Sequence, residues 1–242
     1  MEAAKIPLGV DLVWMRTRNL QRRDLHLLSR LLSKSELTRA RKFHKPEDAA
    51  SYVAAHALVR QYLGIKLKAA PQEIDFVRDI NGKPQLLAAD STPPPKFTLS
   101  HAEGCAAAGF HLTEEVGVDV ETFPDDPLEA DFLLDSMTKE EVATLDKVSV
   151  HRLGKLIISL WACKEAVLKC IGIGLNASPN LVNVDLNLGH AVFTPKDGGP
   201  QRHFCLTTFQ PTPAHVLAVA MEKPRIGKLV AHMRESSLQD FI

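Results

Sequence analysis

The chain has 242 residues, 29 basic against 29 acidic side chains, and 45% hydrophobic content. That is the composition of a folded globular protein, and its neutrality argues against a general nucleic-acid binder, which carries net positive charge. No apolar run approaches the roughly 18 residues of a membrane span, the start Met1–Lys5 lacks a signal-peptide pattern, and four cysteines without a CxxC pair fit reduced, buried thiols; a cytoplasmic protein is expected.

The neutral total hides a split. Residues 1–115 carry 17 Lys and Arg against 13 Asp and Glu, whereas residues 116–242 carry 12 against 16. Arg16–Lys45 holds ten basic residues and two acidic ones, and Phe97–Thr138 holds ten acidic residues with no Lys or Arg. Such runs form solvated faces by default. A basic lobe facing an acidic one also suits an anionic substrate held through a metal ion.

In chain order, a short Val-rich strand is expected at Gly9–Trp14. Ser33 with Glu36 has capping-box spacing and predicts a helix start. A long helix is expected over about Pro46–Leu63, stopped by Gly64, with a stiff loop at Asp90–Pro95 and strands at Phe97–Leu99 and Cys105–Phe110. The order then recurs. Gly117–Glu121 repeats the first strand 108 positions on, and Thr138 with Glu141 repeats the cap. His151–Ile171, stopped by Gly172, repeats the long helix, and strands follow at Leu181–Leu186, His203–Phe209 and Val216–Glu222. Four matches in one order at nearly one offset indicate a tandem duplication. The expected fold is α+β: two similar halves, 1–115 and 116–242, packed as a pseudo-dimer. Since one chain supplies both halves, a monomer is expected.

The copies differ where chemistry would sit. Asp11-Leu12-Val13 in the first becomes Asp119-Val120-Glu121 in the second. Residues two apart share a strand face, so Asp119 and Glu121 lie side by side, either on a solvated face or around a cation. His56-Ala57 becomes Lys164-Glu165 inside Trp161–Lys169. Glu165 and Lys169 have the spacing of a helix surface pair. The apolar neighbours of that segment point instead to burial, and a third carboxylate from Glu165 completes an all-oxygen set suited to Mg²⁺. Lys164 and Lys169 would then neutralise phosphate charge. Ser100-His101 at a strand end and the turn Asn81–Pro84, with Lys83, are weaker candidates.

Gly117–Glu121 and Trp161-Ala-Cys-Lys-Glu-Ala-Val-Leu-Lys169, with Asn81–Pro84, Ser100-His101 and Arg41-Lys42-Phe43, resemble the motifs of the surfactin-type 4′-phosphopantetheinyl transferases over roughly Lys34–Leu175. The resemblance implies two α+β halves with the active site between them, and transfer of the phosphopantetheine arm of coenzyme A to a serine of an acyl carrier protein or peptidyl carrier domain, releasing adenosine 3′,5′-bisphosphate. It implies Asp119, Glu121 and Glu165 as Mg²⁺ ligands, Glu165 as base, and Lys169 with Lys164 at the pyrophosphate. Lys83, Ser100 and His101 match coenzyme A phosphate contacts, His101 at the 3′-phosphate, and Trp161 matches a structural residue. Pro46, Ser51, Tyr52 and His56 depart from the pattern, leaving Arg41, Lys42 and Lys45, along with Arg39, as candidates for the adenine end. Two other readings use the same residues: a Mg²⁺-dependent phosphohydrolase, and a non-catalytic protein that binds coenzyme A or a carrier domain.

Overall fold

The computed structural model describes residues 9–86, 94–222 and 230–241. Strand β1 (Gly9–Arg16) is buried on both faces, with Val10, Leu12 and Trp14 on one and Val13 and Met15 on the other. Two short helices follow, α1 (Arg22–Ser29) and α2 (Lys34–Ala40). Ser33 caps α2: its hydroxyl accepts from the Glu36 N–H, while the Glu36 carboxylate accepts from the Ser33 N–H at 2.8 Å. Helix α3 (Pro46–Leu67) has Pro46 in its first turn, where the missing N–H costs no hydrogen bond.

Gly64 does not stop α3. The helix runs on to Leu67 and ends at Lys68, whose φ of 53° is left-handed. Gly64 serves a close contact instead, since a Cβ there would lie 3.0 Å from the Ala69 carbonyl oxygen. The hairpin β2 (Phe76–Arg78) and β3 (Pro84–Leu86) follows, then β4 (Lys96–Ala102) and β5 (Cys105–His111). Most of the loop expected at Asp90–Pro95 lies outside the described residues.

The second half repeats this order. It comprises β6 (Val116–Thr122), 3₁₀ turns over Pro127–Ser136, α4 (Lys139–Leu145) capped by Thr138, and α5 (Val150–Ile171) ended by Gly172 at φ 85°. Strands β7 (Val182–Asp185), β8 (His190–Phe193), β9 (Arg202–Phe209) and β10 (His215–Glu222) complete its sheet. The long helices α3 and α5 are each 22 residues. Strand order is β1-β5-β4 in the first half and β6-β10-β9-β8-β7 in the second, antiparallel throughout, so β1, β5 and β4 correspond to β6, β10 and β9. The symmetry breaks at the hairpins: β7–β8 extends its sheet, whereas β2–β3 stands apart from β4.

The chain's end crosses back. Strand β11 (Val230–Glu235) pairs parallel with β1, and Phe241 is buried in the first half's core. The 115/116 division runs between β5 and β6, and residues 230–235, which lie beyond it, complete the first sheet. No sequence repeat flags that return, because β11 has no counterpart among the described residues of the first copy.

The sheets meet face to face. Val10, Leu12, Trp14 and Ala107 pack against Val116, Val118, Val120, Leu217 and Val219 in one buried cluster, while the outer faces pack on α3 and α5 in two more. The four cysteines are buried and free. Gly117 turns toward α5, and a Cβ there would lie 1.7 Å from the Ala166 carbonyl oxygen. Helix backbone cannot yield as a side-chain tip can, so Gly117→Ala should destabilise the fold by about 3 kcal/mol or more in urea titrations. A loss under ~1 kcal/mol would show that β6 and α5 are less tightly apposed.

Candidate active site

The alternation of β6 places Val116, Val118 and Val120 against the first sheet and leaves Gly117, Asp119 and Glu121 facing α5. On α5, Trp161, Glu165 and Lys169 recur every four residues and so share a stripe. Strand β4 of the first half supplies Ser100. The Ser100 hydroxyl donates to Asp119 Oδ1 at 2.8 Å, and Lys169 Nζ donates to the same oxygen at 2.6 Å and to Ser100 Oγ at 3.0 Å. Trp161 Nε1 donates to Glu121 Oε1 at 2.9 Å. Asp119 Oδ2 and Glu165 Oε1 are buried without a hydrogen-bond partner.

Burial and then the Asp119 charge push the Glu165 carboxyl up to about 7, and the same two causes raise Glu121. Among the described residues, no three Asp, Glu, His or Cys side chains are gathered tightly enough to hold an ion as they stand. The reason is visible in the bonds. Lys169 occupies one Asp119 oxygen and the Trp161 indole holds Glu121. The donor set nevertheless fits a hard cation, because two orphaned carboxylate oxygens in a low-dielectric site lack the positive partner that burial demands.

Lys83 and Lys169 line one cleft of about 210 Å³ between the halves, with Asn81, Thr98 and Gly172. Lys83 is held by Glu115 at 2.6 Å, and Lys96 shares that carboxylate at 2.9 Å. Strand alternation separates Ser100 from His101. The His101 ring lies 6.0 Å from Phe43 and 5.7 Å from Tyr52, edge-on to both. Burial, and then Lys169, push its imidazole down to about 4. Arg41, Lys42 and Lys45 are exposed on the α2–α3 connection, which reaches His101 through Phe43. A larger cavity of about 550 Å³ between Arg16, Thr212 and Ser236 contains none of these residues. Its Arg16 is already paired with Glu235, and His215 with the Glu103 carbonyl.

Two expectations change. Lys164 does not face the carboxylates: it is fully buried on another side of α5, 2.7 Å from Glu141, and also donates to the Pro179 and Val182 carbonyls. Adjacent helix residues point about 100° apart, so Lys164 and Glu165 serve different sides. Trp161 does more than pack, since its indole orients Glu121. Glu115 escaped the sequence reading, which gave Glu141 only as a helix cap. The capping box hinted at Glu141, whose carboxylate also accepts from the Val184 N–H at 2.8 Å.

Two sequence profiles match. That of the 4′-phosphopantetheinyl transferase superfamily covers residues 115–220, and that of the 4′-phosphopantetheinyl transferase N-terminal region covers residues 18–108. The chain belongs to the 4′-phosphopantetheinyl transferase superfamily, a family of transferase enzymes. It is 28% identical over 178 residues to a putative 4′-phosphopantetheinyl transferase of Synechocystis sp., covering 74% of this chain and 72% of that one. It is 30% identical over 157 residues to the 4′-phosphopantetheinyl transferase HetI of Nostoc sp., covering 63% and 64%. It is 25% identical over 214 residues to the L-aminoadipate-semialdehyde dehydrogenase-phosphopantetheinyl transferase of Homo sapiens, covering 82% and 69%.

Lys164→Met should strand the Glu141 charge in the core and cost about 3–5 kcal/mol of stability, and adding Glu141→Gln should recover part of it. Intact stability with weakened coenzyme A binding would return Lys164 to a phosphate role. Glu165, at about 7 rather than its ordinary 4.5, binds its proton more tightly folded than unfolded. Its stabilising contribution is therefore complete below about pH 4.5 and lost as pH rises through about 7. Urea titrations in EDTA across that window should show stability falling, with Glu165 contributing on the order of 3 kcal/mol and the raised Glu121 adding to it. Glu165→Gln should flatten the fall; an unchanged slope would contradict the burial of this carboxylate.

Proposed function

We propose that the chain transfers the 4′-phosphopantetheine arm of coenzyme A to a serine of an acyl or peptidyl carrier protein. It would do so as a surfactin-type enzyme, with Asp119, Glu121 and Glu165 holding Mg²⁺. The observation that carries this reading is the orphaned pair Asp119 Oδ2 and Glu165 Oε1 beside a cleft lined by two lysines. Bound there, the cation would neutralise charge on the pyrophosphate as its bond breaks. The resemblance of Gly117–Glu121 and Trp161–Lys169 to the surfactin-type motifs supports that subdivision.

Each residue then has a task its surroundings suit. Lys83 and Lys169 offer ammonium groups to the pyrophosphate from opposite halves of the cleft. His101, edge-on to Phe43 and Tyr52, is assigned to the 3′-phosphate, and an anion there would favour its protonated form. The exposed Arg41, Lys42 and Lys45 extend the positive surface toward the adenine end. Glu165 is the carboxylate assigned to take the proton of the carrier serine. The serine oxygen then bonds to the proximal phosphorus, and adenosine 3′,5′-bisphosphate leaves with the electrons of the broken P–O bond. A cytoplasmic monomer fits this reading, and no helix among the described residues is long and apolar enough to cross a membrane.

Intact mass spectrometry of an apo carrier protein, incubated with the enzyme, coenzyme A and Mg²⁺, should show a gain of one phosphopantetheine. EDTA should abolish it, and Glu165→Gln should lower the rate by at least about 100-fold. Coenzyme A cleavage without carrier modification would indicate a hydrolase. Coenzyme A binding with neither outcome would indicate a binding protein.

A further inference from the structure

Lys83 reaches the cleft from the turn of the β2–β3 hairpin, which stands apart from the first sheet. Its stem lies against the end of α5, where a Cβ on Gly172 would lie 3.6 Å from the Lys83 Cδ. The ammonium is already engaged. Glu115, just before β6, accepts from Lys83 Nζ through Oε2 at 2.6 Å. A lysine–carboxylate pair has no net charge, and its carboxylate both repels a phosphate and competes with it for the ammonium. An anion that takes Lys83 therefore has Glu115 to contend with.

The fold supplies a third group. Lys96 opens β4, and strand alternation puts it on the same face as Thr98, which lines the cleft, and Ser100. Its Nζ lies 2.9 Å from Glu115 Oε1, the oxygen that Lys83 leaves over. Two ammonium groups on one carboxylate leave one positive charge uncancelled. Burial works against the Glu115 charge, yet Lys83 and then Lys96 hold its carboxyl below the usual range, so it stays ionised at neutral pH. When Lys83 turns to an anion, Lys96 still neutralises the carboxylate left behind. Lys96 and Glu115 are 34% and 41% exposed, so water screens the pair and keeps the cost of that exchange small.

We propose that Lys96 is a positioning residue for the pyrophosphate site: it neutralises Glu115 and so releases Lys83 to the anion, acting through the carboxylate and not on coenzyme A itself. The proposal rests on the reading of Lys83 as a pyrophosphate contact, and it does not depend on the identity of the acceptor.

The test measures binding rather than turnover. Coenzyme A affinity is compared by calorimetry in EDTA for the wild type, Lys83→Met, Lys96→Met, Lys96→Arg, Glu115→Gln and the Lys96→Met/Glu115→Gln double variant, and thermal melts report folding. Lys96→Met should weaken binding by about 3- to 5-fold at low salt, the scale of a partly exposed ion pair, and by less at high salt. Lys96→Arg, which keeps the charge, should restore the affinity even if the methionine variant melts early. Glu115→Gln should bind at least as tightly as the wild type, and in its background Lys96→Met should change affinity by less than about 1.5-fold. The Lys96→Met loss should persist with 3′-dephospho-coenzyme A, which keeps the pyrophosphate. Unchanged affinity in Lys96→Met overturns the proposal, as does weaker binding by Glu115→Gln. An equal loss in the Glu115→Gln background also overturns it, by making Lys96 a direct contact, and a loss absent with the dephospho form overturns it by moving the effect to the 3′-phosphate. Wild-type affinity in Lys83→Met overturns the reading of Lys83 itself. A cycle that follows the proposal without any carrier modification would sink only the transferase reading.

Discussion

Strand β6 is buried on both faces, and that constraint places the chemistry. One face must be apolar to hold the two halves together, so Val116, Val118 and Val120 face the first sheet. The other is pressed so closely on α5 that position 117 has no room for a side chain. Asp119 and Glu121 inherit that second face and lose their water. Two like charges in a low-dielectric space repel one another and favour protonation. The structure offsets part of this with Lys169, Ser100 and the Trp161 indole, and leaves Asp119 Oδ2 and Glu165 Oε1 uncompensated. That residual deficit is the physical basis of the proposed cation site.

The duplication supplies the scaffold twice and the chemistry once. Where the second copy has Asp119, Glu121, Glu165 and Lys169, the first has Asp11, Val13, Ala57 and Gln61. Val13 and Ala57 join the core, Tyr62 stacks on Phe110 while bonding Asp11, and Gln61 donates to the Asp240 carbonyl at 2.7 Å. The chain's end thus lies over the degenerate counterpart of the cleft. What both copies retain is the glutamate at the third position of the short helix. Glu36 caps α2 while accepting from Arg60 at 2.7 Å and pairing with His56 at 3.0 Å, and these partners hold it down at about 2 despite burial. Glu141 does the same for α4 and Lys164. In each half a capping residue has become the anchor of the long helix.

Much of this was legible in the sequence because it is local or periodic. Capping boxes, strand alternation, a helix stripe and a repeat at one offset depend on residues within a few positions of each other or on copied order. They delivered the two halves and both long helices. The errors share one cause. Gly64 reads as a stop, but whether a glycine ends a helix or admits a neighbour depends on what packs there, here Ala69 and Pro71. Lys164 adjoins Glu165 in a motif, yet helix geometry and a glutamate 23 positions earlier decide its direction.

The sequence by itself determined the chain's kind: a duplicated α+β protein whose second copy alone carries three carboxylates and a lysine at fixed spacing. Tertiary structure alone decided which polar group answers which. Ser100 comes to Asp119 from 19 residues away and from the other half, Glu115 reaches back 32 residues to Lys83, and β11 returns to β1. Partner choice among buried charges is settled by desolvation and by distances of about 3 Å, and chain order does not encode either until the halves have closed.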